Sequence, residues 1–438
     1  MLTHEAMRSA AHFLVLVLVS CGSSEAVSAA RRGDVAAVAK AIEPDYRAGR
    51  LGNDEAARIA RAVAENAIES SKGDEAQTRV RELRTCARSL TSALDDRSKT
   101  HDAAGAEAAM ALLEIDELSE NAAREYLQDT NDEWRAVGAR GLVRERDFEA
   151  RGKALVDPSA KVRRAAMRAS GQARDPRDVP PLLEAARVDP DMMARSEAVR
   201  AIARIDPPGG DTAQRLHDLW QTADDALRED IAHAYVATNI AISGGSEELR
   251  VLLAAKHGPG VISAAAYVIM RDGPVGAKFD DETRKSAIAI IVRTIDEAPR
   301  RERLLAIAMA PLSNSDVRAA VKRAADETND LESRESALSK LLEVPSEHEA
   351  AKRALMAFAS PATEEHLARR ARLALAADGE LAVQGWIEAD LKSPDPSTRL
   401  LAANALASLH RVARAAPLLA DPDAHVRTSA ACTVLAAR

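Results

Sequence analysis

Asp157-Pro158-Ser159-Ala160-Lys161-Val162-Arg163-Arg164-Ala165-Ala166 has a near copy at Asp421-Pro422-Asp423-Ala424-His425-Val426-Arg427-Thr428-Ser429-Ala430. Outward from these two, related segments run from Asp129 to Arg135 with Ala136, from Asp189-Pro190 to Arg195 with Ala198, and from Ser393 to Arg399 with Ala402-Ala403. In all five a short polar residue of capping type stands six positions before an arginine. Arg135 and Arg163 are 28 residues apart, Arg163 and Arg195 are 32 apart, and Arg399 and Arg427 are 28 apart. Helical-hairpin repeats commonly run to roughly 30–45 residues, close to these intervals.

Each part of the pattern has a physical reason. Asp157 suits a helix N-cap, where a carboxylate accepts backbone N–H bonds, and Pro158 suits the first helical position, where no N–H is needed. Val162, Ala165, Ala166 and Ala169 fall at i, i+3, i+4 and i+7, which is one apolar stripe of a helix. Alanines on that stripe let neighbouring helices approach closely. Arg163 lies beside the stripe, where it can reach the capping aspartate of an adjacent repeat. The expected ladder comprises Asp129, Arg135, Asp157, Arg163, Asp189, Arg195, Arg399, Asp421 and Arg427.

This pattern resembles HEAT repeats, particularly the short bacterial form also found in phycobilisome lyases. The resemblance is good over residues 126–204 and again over 390–438. It implies an all-α fold, an α-solenoid of antiparallel helical hairpins in which the Asp-Pro…Val-Arg…Ala helix comes first in each hairpin. Between the two stretches the pattern degrades. Leu227-Arg228, Val317-Arg318 and Ser333-Arg334 are possible ladder equivalents without the Asp-Pro. Asp206-Pro207-Pro208-Gly209-Gly210, Ser243-Gly244-Gly245-Ser246 and His257-Gly258-Pro259-Gly260 still punctuate helix-length segments. Residues 31–125 are helical in pattern, either diverged repeats or a separate helical cap, and residues 126–438 form the repeat array.

Composition agrees with this reading. At 438 residues the chain exceeds the roughly 250–300 at which single cores stop growing, so a repeat array or several domains are required. Aromatics are 3% while hydrophobic residues are 46%, so small aliphatics must build the core. A net charge of −8 with both signs interspersed excludes a nucleic-acid binder that relies on a general basic field.

At the N-terminus, the apolar run Ala10 to Val19 has the length of a signal-peptide core and falls short of the ~20 residues that span a bilayer. A start at Met7 would give a more ordinary n-region. The run ends in Leu18-Val19-Ser20-Cys21-Gly22, which resembles the lipobox of bacterial lipoproteins. That resemblance implies a signal peptide over 1–20, cleavage before Cys21, acylation there, and a lipidated tether over 21–30. Two or three acyl chains make a stable membrane anchor. Gly22 in place of Asp after the cysteine points to the outer membrane of a Gram-negative envelope. Cys86 and Cys432 are then expected to lie far apart along a solenoid, as two small buried thiols with no disulfide between them.

The search for chemistry yields no catalytic constellation and no metal site. His101-Asp102 and His217-Asp218 are similar to the His-Asp pair of metal-dependent phosphohydrolases, but no converging partners accompany them, and adjacent helical residues point about 100° apart. No His-Glu-x-x-His, Gly-x-Ser-x-Gly, Walker loop or Cys-x-x-Cys is present. Trp134, Trp220 and Trp386 read as packing residues. The expected function is therefore a lipid-anchored envelope scaffold that binds protein partners through its concave helical surface, lined by the second helices. No cofactor, nucleic acid or small-molecule substrate is expected. Candidate contact stretches are Pro180 to Glu184, with Arg187, and Pro417-Leu418-Leu419. The alternative is an enzyme on a HEAT-like scaffold, similar to bilin lyases or alkylpurine glycosylases. Export and acidity weigh against it, and a cytoplasmic, unprocessed chain would revive it.

Overall fold

The computed structural model describes residues 25–205, 211–237, 246–256, 258–270, 279–326 and 329–437. Cys21, the segment 1–20 and the loops at 206–210, 243–245 and 257 lie outside the described residues. Every regular element among the described residues is helical, and the chain is an all-α solenoid. It divides into two compact units. One combines residues up to Leu118 with Met356–Arg438, and the other runs Ser119–Leu355.

The first unit opens with α1 (Val35–Arg47), α2 (Asn53–Ser70), α3 (Gly73–Glu82), α4 (Thr91–Ser98) and α5 (Ala103–Glu114). The second unit holds α6 (Glu120–Glu125), α7 (Asp132–Arg140), α8 (Phe148–Ala154), α9 (Ala160–Ala173), α10 (Val179–Val188) and α11 (Met192–Arg204). It continues through α12 (Asp211–Thr222), α13 (Asp225–Ala237), α14 (Ser246–Ala254), α15 (Pro259–Met270), α16 (Asp281–Glu297), α17 (Arg300–Met309), α18 (Ser315–Asp326) and α19 (Leu331–Leu341). After α20 (His348–Phe358), the first unit resumes with α21 (Glu365–Ala377), α22 (Gln384–Asp390) and α23 (Pro396–Ser408). A 3-10 segment, Val412–Ala420, leads into α24 (Ala424–Ala436).

In the second unit the first helices of successive hairpins, α7, α9 and α11, stack on one another. On α9 the expected stripe is the buried one, with Val162, Ala165, Ala166 and Ala169 all in the core. Close approach has a visible limit at Gly138 of α7. A Cβ there would sit 2.7 Å from the Leu127 backbone nitrogen, so only glycine fits. Trp134 is buried and packs on Tyr126 with ring centroids 4.5 Å apart, which makes it a core residue of the hairpin.

Three expectations are corrected. Asp157 is not the N-cap of α9. That position belongs to Ser159, and Asp157 accepts the Ser159 N–H at 2.8 Å. Asp129, Asp189 and Asp421 do the same for Asn131, Asp191 and Asp423. These four aspartates thus build a turn one step ahead of the helix, as short carboxylates do when they bond a backbone two residues on. Secondly, Cys86 and Cys432 form a disulfide, with Cα atoms 5.3 Å apart. The expectation of distant thiols assumed that sequence distance measures spatial distance along the array. In the first unit the N-terminal helices instead pack against the C-terminal repeat, α2 lying on α24 and α1 on the 3-10 segment. Thirdly, Leu418 and Leu419 are buried under α1 and α2 and present no contact surface.

Candidate functional site: an arginine–aspartate ladder and a covalent staple

The ladder arginines share one geometry. Nη1 of Arg163 donates to the carbonyls of Asp157 (2.9 Å) and Pro158 (3.1 Å) in its own loop. The opposite edge, Nε and Nη2, grips both carboxylate oxygens of Asp189 in the next repeat at 2.8 Å each. Arg135 repeats this with the Asp129 and Thr130 carbonyls and with Asp157 at 3.0 and 3.2 Å. Arg399 does so with the Ser393 and Pro394 carbonyls and with Asp421 at 2.7 and 3.0 Å. The planar guanidinium fork matches a carboxylate in two bonds, which a lysine cannot do. Each aspartate serves two tasks, fixing its own turn and accepting the preceding repeat's arginine.

Burial opposes ionisation of Asp189 and Asp157. Hydrogen bonds from the neighbouring arginine and from the turn N–H outweigh it, holding both carboxyls below the ordinary range. Arginine–aspartate pairs continue through the second unit in altered form, as Arg250 with Asp280 at 2.8 Å and Arg303 with Asp330 at 3.3 Å. Among the described residues Arg195 reaches Asp224, at 3.3 Å through Nη2. Arg318 donates to the Leu312 carbonyl of its own loop at 3.1 Å, and Arg228 donates to the Trp220 carbonyl. At the far end Arg427 keeps both own-loop bonds, to the carbonyls of Asp421 (2.6 Å) and Pro422 (3.0 Å), and pairs with no carboxylate among the described residues.

A second row of pairs escaped the sequence reading. Arg151, with no exposed surface, donates to Asp178 (2.8 Å) and Asp175 (3.2 Å) of the next hairpin and to the carbonyls of Leu142 and Arg144. Arg124 reaches Asp147 in the same way at 2.7 Å. The available signal was Arg146-Asp147-Phe148 recurring as Arg177-Asp178-Val179, each just before a second helix. Burial raises the Asp178 carboxyl above its ordinary value, with Arg151 opposing that shift.

The exposed side of the second helix is plainest on α10. Val179, Leu182 and Ala186 face the core, whereas Glu184 and Arg187 are exposed and pair with each other at 2.7 Å. In the first unit the disulfide is accompanied by Arg414, which pairs with Glu388, donates to the Tyr46 carbonyl at 2.9 Å and lies 4.1 Å over the Tyr46 ring. Asn53 accepts the Ala413 N–H at 3.2 Å. Among the described residues no group of three or more His, Cys, Asp or Glu is placed to hold a metal, and no helix is long and apolar enough to cross a membrane.

Residues 148–236 match the family model of HEAT repeats. No curated protein matches the chain by sequence. Among solved structures, an engineered protein is similar at 16% identity, covering 82% of this chain and 98% of its own, with a TM-score of 0.29. Kap121p bound to Ste12p is similar at 14% identity over 89% of this chain, with a TM-score of 0.36, and this chain spans about half of its length, 48%. UNC-45 from Drosophila melanogaster is similar at 14% identity, covering 92% of this chain and 68% of its own, with a TM-score of 0.26.

Proposed function

We propose that this chain is an exported lipoprotein, anchored through Cys21 in the cell envelope, which binds protein partners on the exposed faces of its helical repeats. The observation that carries the reading is the Cys86–Cys432 disulfide. Disulfides persist in secreted and periplasmic proteins and are rare in reducing cytosol. The lipobox-like Leu18-Val19-Ser20-Cys21 reaches the same compartment from an unrelated feature. The binding part of the reading is supported by the build of the repeats. Their ladder bonds spend charge on holding hairpins together, while second-helix positions such as Glu184 and Arg187 of α10 stay exposed. The Gly22-Ser23-Ser24 tether and the residue after Cys21 suit an outer-membrane address. The reading assigns the chain no reaction, cofactor or metal.

Metabolic labelling with a palmitate analogue tests the anchor. The native chain takes up label and loses residues 1–20, and Cys21→Ser loses both label and processing. Equal labelling of Cys21→Ser would overturn the anchor. Co-purification from solubilised envelopes tests the binding face, where Glu184→Lys weakens capture of a specific partner while helicity and melting stay as they were. Absence of any specific partner, or tight DNA binding at physiological salt, would overturn the scaffold reading.

A further inference from the structure

Arg427 stands in the ladder position of the last repeat and is held there as its counterparts are. Its Nη1 is clamped by the Asp421 and Pro422 carbonyls, just as Nη1 of Arg163 is clamped by Asp157 and Pro158. That clamp fixes the plane of the guanidinium and turns the Nε/Nη2 edge away from its own loop. In Arg135, Arg163 and Arg399 the same edge holds an aspartate by two bonds. For Arg427 the nearby charges are Arg79 of α3 and the aspartates of its own turn, Asp421 and Asp423.

The two arginines line a cavity of about 100 Å³ within the first unit, together with Asn66, Ser70, Ser71 and Thr428. Arg79 already faces two carboxylates. Its Nη1 pairs with Glu82 at 2.7 Å and its Nη2 lies 3.8 Å from Glu75, but its buried Nε has no hydrogen-bond partner. Glu82 is shared in turn with His425, at 2.6 Å. Glu75 is exposed and Ser71 half-buried, so the cavity reaches the surface. Burial lowers the pKa of Arg427 and the charge of Arg79 lowers it further, against the opposing pull of Asp421 and Asp423, whereas Asp189 shifts Arg163 upward. The clamped guanidinium of Arg427, its Nε/Nη2 edge uncommitted and Arg79 beside it, in a wall of hydroxyl and amide groups with the Glu75 carboxylate at the mouth, suits a compact oxyanion held by two bonds.

We propose that Arg427 and Arg79 form a carboxylate-binding site, which takes an aspartate of a partner segment in the manner that Arg163 takes Asp189. This rests on the protein-binding reading above and names the chemistry of one contact. The occupant is argued from the chain itself, since the same clamped edge receives an aspartate wherever its partner is visible.

The probe is a dye-labelled synthetic peptide of residues 187–199, which carries Asp189, beside the same peptide with Asp189→Asn. Fluorescence anisotropy against the purified full chain needs no envelope, so failure here is distinguishable from failure of the anchor or of partner capture. The aspartate peptide is expected to bind at least about tenfold more tightly than the asparagine peptide, as charge-assisted two-bond recognition implies. That preference disappears in Arg427→Gln and shrinks in Arg79→Gln, while the melting of both variants follows the native chain. Arg427→Lys, which keeps the charge without the fork, guards against a folding artefact and also loses the preference. Sodium acetate competes at constant ionic strength. Equal binding of the two peptides, an aspartate preference that survives in Arg427→Gln or Arg427→Lys, or competition by inorganic phosphate with none by acetate would each overturn the proposal.

Discussion

Arg163 and Asp189 carry the coupling between two repeats at nearly complete burial, with side chains 10% and 4% exposed. Removing one member of such a pair leaves the other as an uncompensated buried charge, which costs about 3–5 kcal/mol. Arg163→Ala should therefore destabilise the second unit by that order. Because repeats couple mainly to their neighbours, hydrogen exchange should rise around residues 126–204 rather than everywhere. Uniform acceleration across the chain, or none, would count against the ladder. The pair also sets a pH dependence. The folded-state pKa values of Asp189 and Asp157 lie below the ordinary 3.8, so their stabilisation is complete above that value. It is lost as pH falls through the lower folded values. Asp178 has the opposite sign, its raised carboxyl contributing less as pH rises past 3.8. Acid titration of local exchange in this segment should lose its steepest part in Asp189→Asn. An unchanged profile would contradict the assignment.

Among the elements, α7 makes the sharpest case for packing over propensity. Alanine is the better helix former by roughly 1 kcal/mol, so Gly138→Ala would stabilise an isolated helix. Here the new Cβ would meet backbone, 2.7 Å from the Leu127 nitrogen, and backbone cannot swing aside as a flexible side chain can. Overpacking of this kind costs about 1–3 kcal/mol, and the second unit should melt at a lower temperature. A higher melting temperature would show that the hairpin is looser than described. The same helices mark how far the sequence could be read. The stripe of Val162, Ala165, Ala166 and Ala169 was legible because period and burial coincide. The turn aspartates were legible as helix starts but misplaced by two residues, since an aspartate before a helix can bond the backbone from either position. The row of Arg124 and Arg151 was legible only on its acidic side, where Arg-Asp recurs at 146–147 and 177–178. A charged residue on a second helix looks like a solvated one until the loop that buries it is in place.

At the level of the whole molecule, the feature least accessible to sequence is the bond between residues 346 positions apart. No local pattern records that α2 lies on α24, because neither helix needs the other to explain its own stripe. What made the link invisible also makes it consequential. A disulfide closing a long stretch of chain typically contributes about 2–4 kcal/mol by restricting the unfolded ensemble. Loss of both thiols in Cys86→Ser/Cys432→Ser should therefore raise exchange in α1, α2 and α24 while the ladder around residues 126–204 keeps its protection. Equal protection of α1, α2 and α24 in the variant and the native chain would mean that the staple is idle.

The redox and processing state of the chain in cells bears most directly on the central claim of export, anchoring and an oxidised fold. Cells quenched in acid, blocked with N-ethylmaleimide and analysed by mass spectrometry report both features on one molecule. The account predicts a chain that begins at an acylated Cys21 and yields a linked Cys86–Cys432 peptide free of N-ethylmaleimide. An unprocessed chain with Cys86 and Cys432 both alkylated would contradict it.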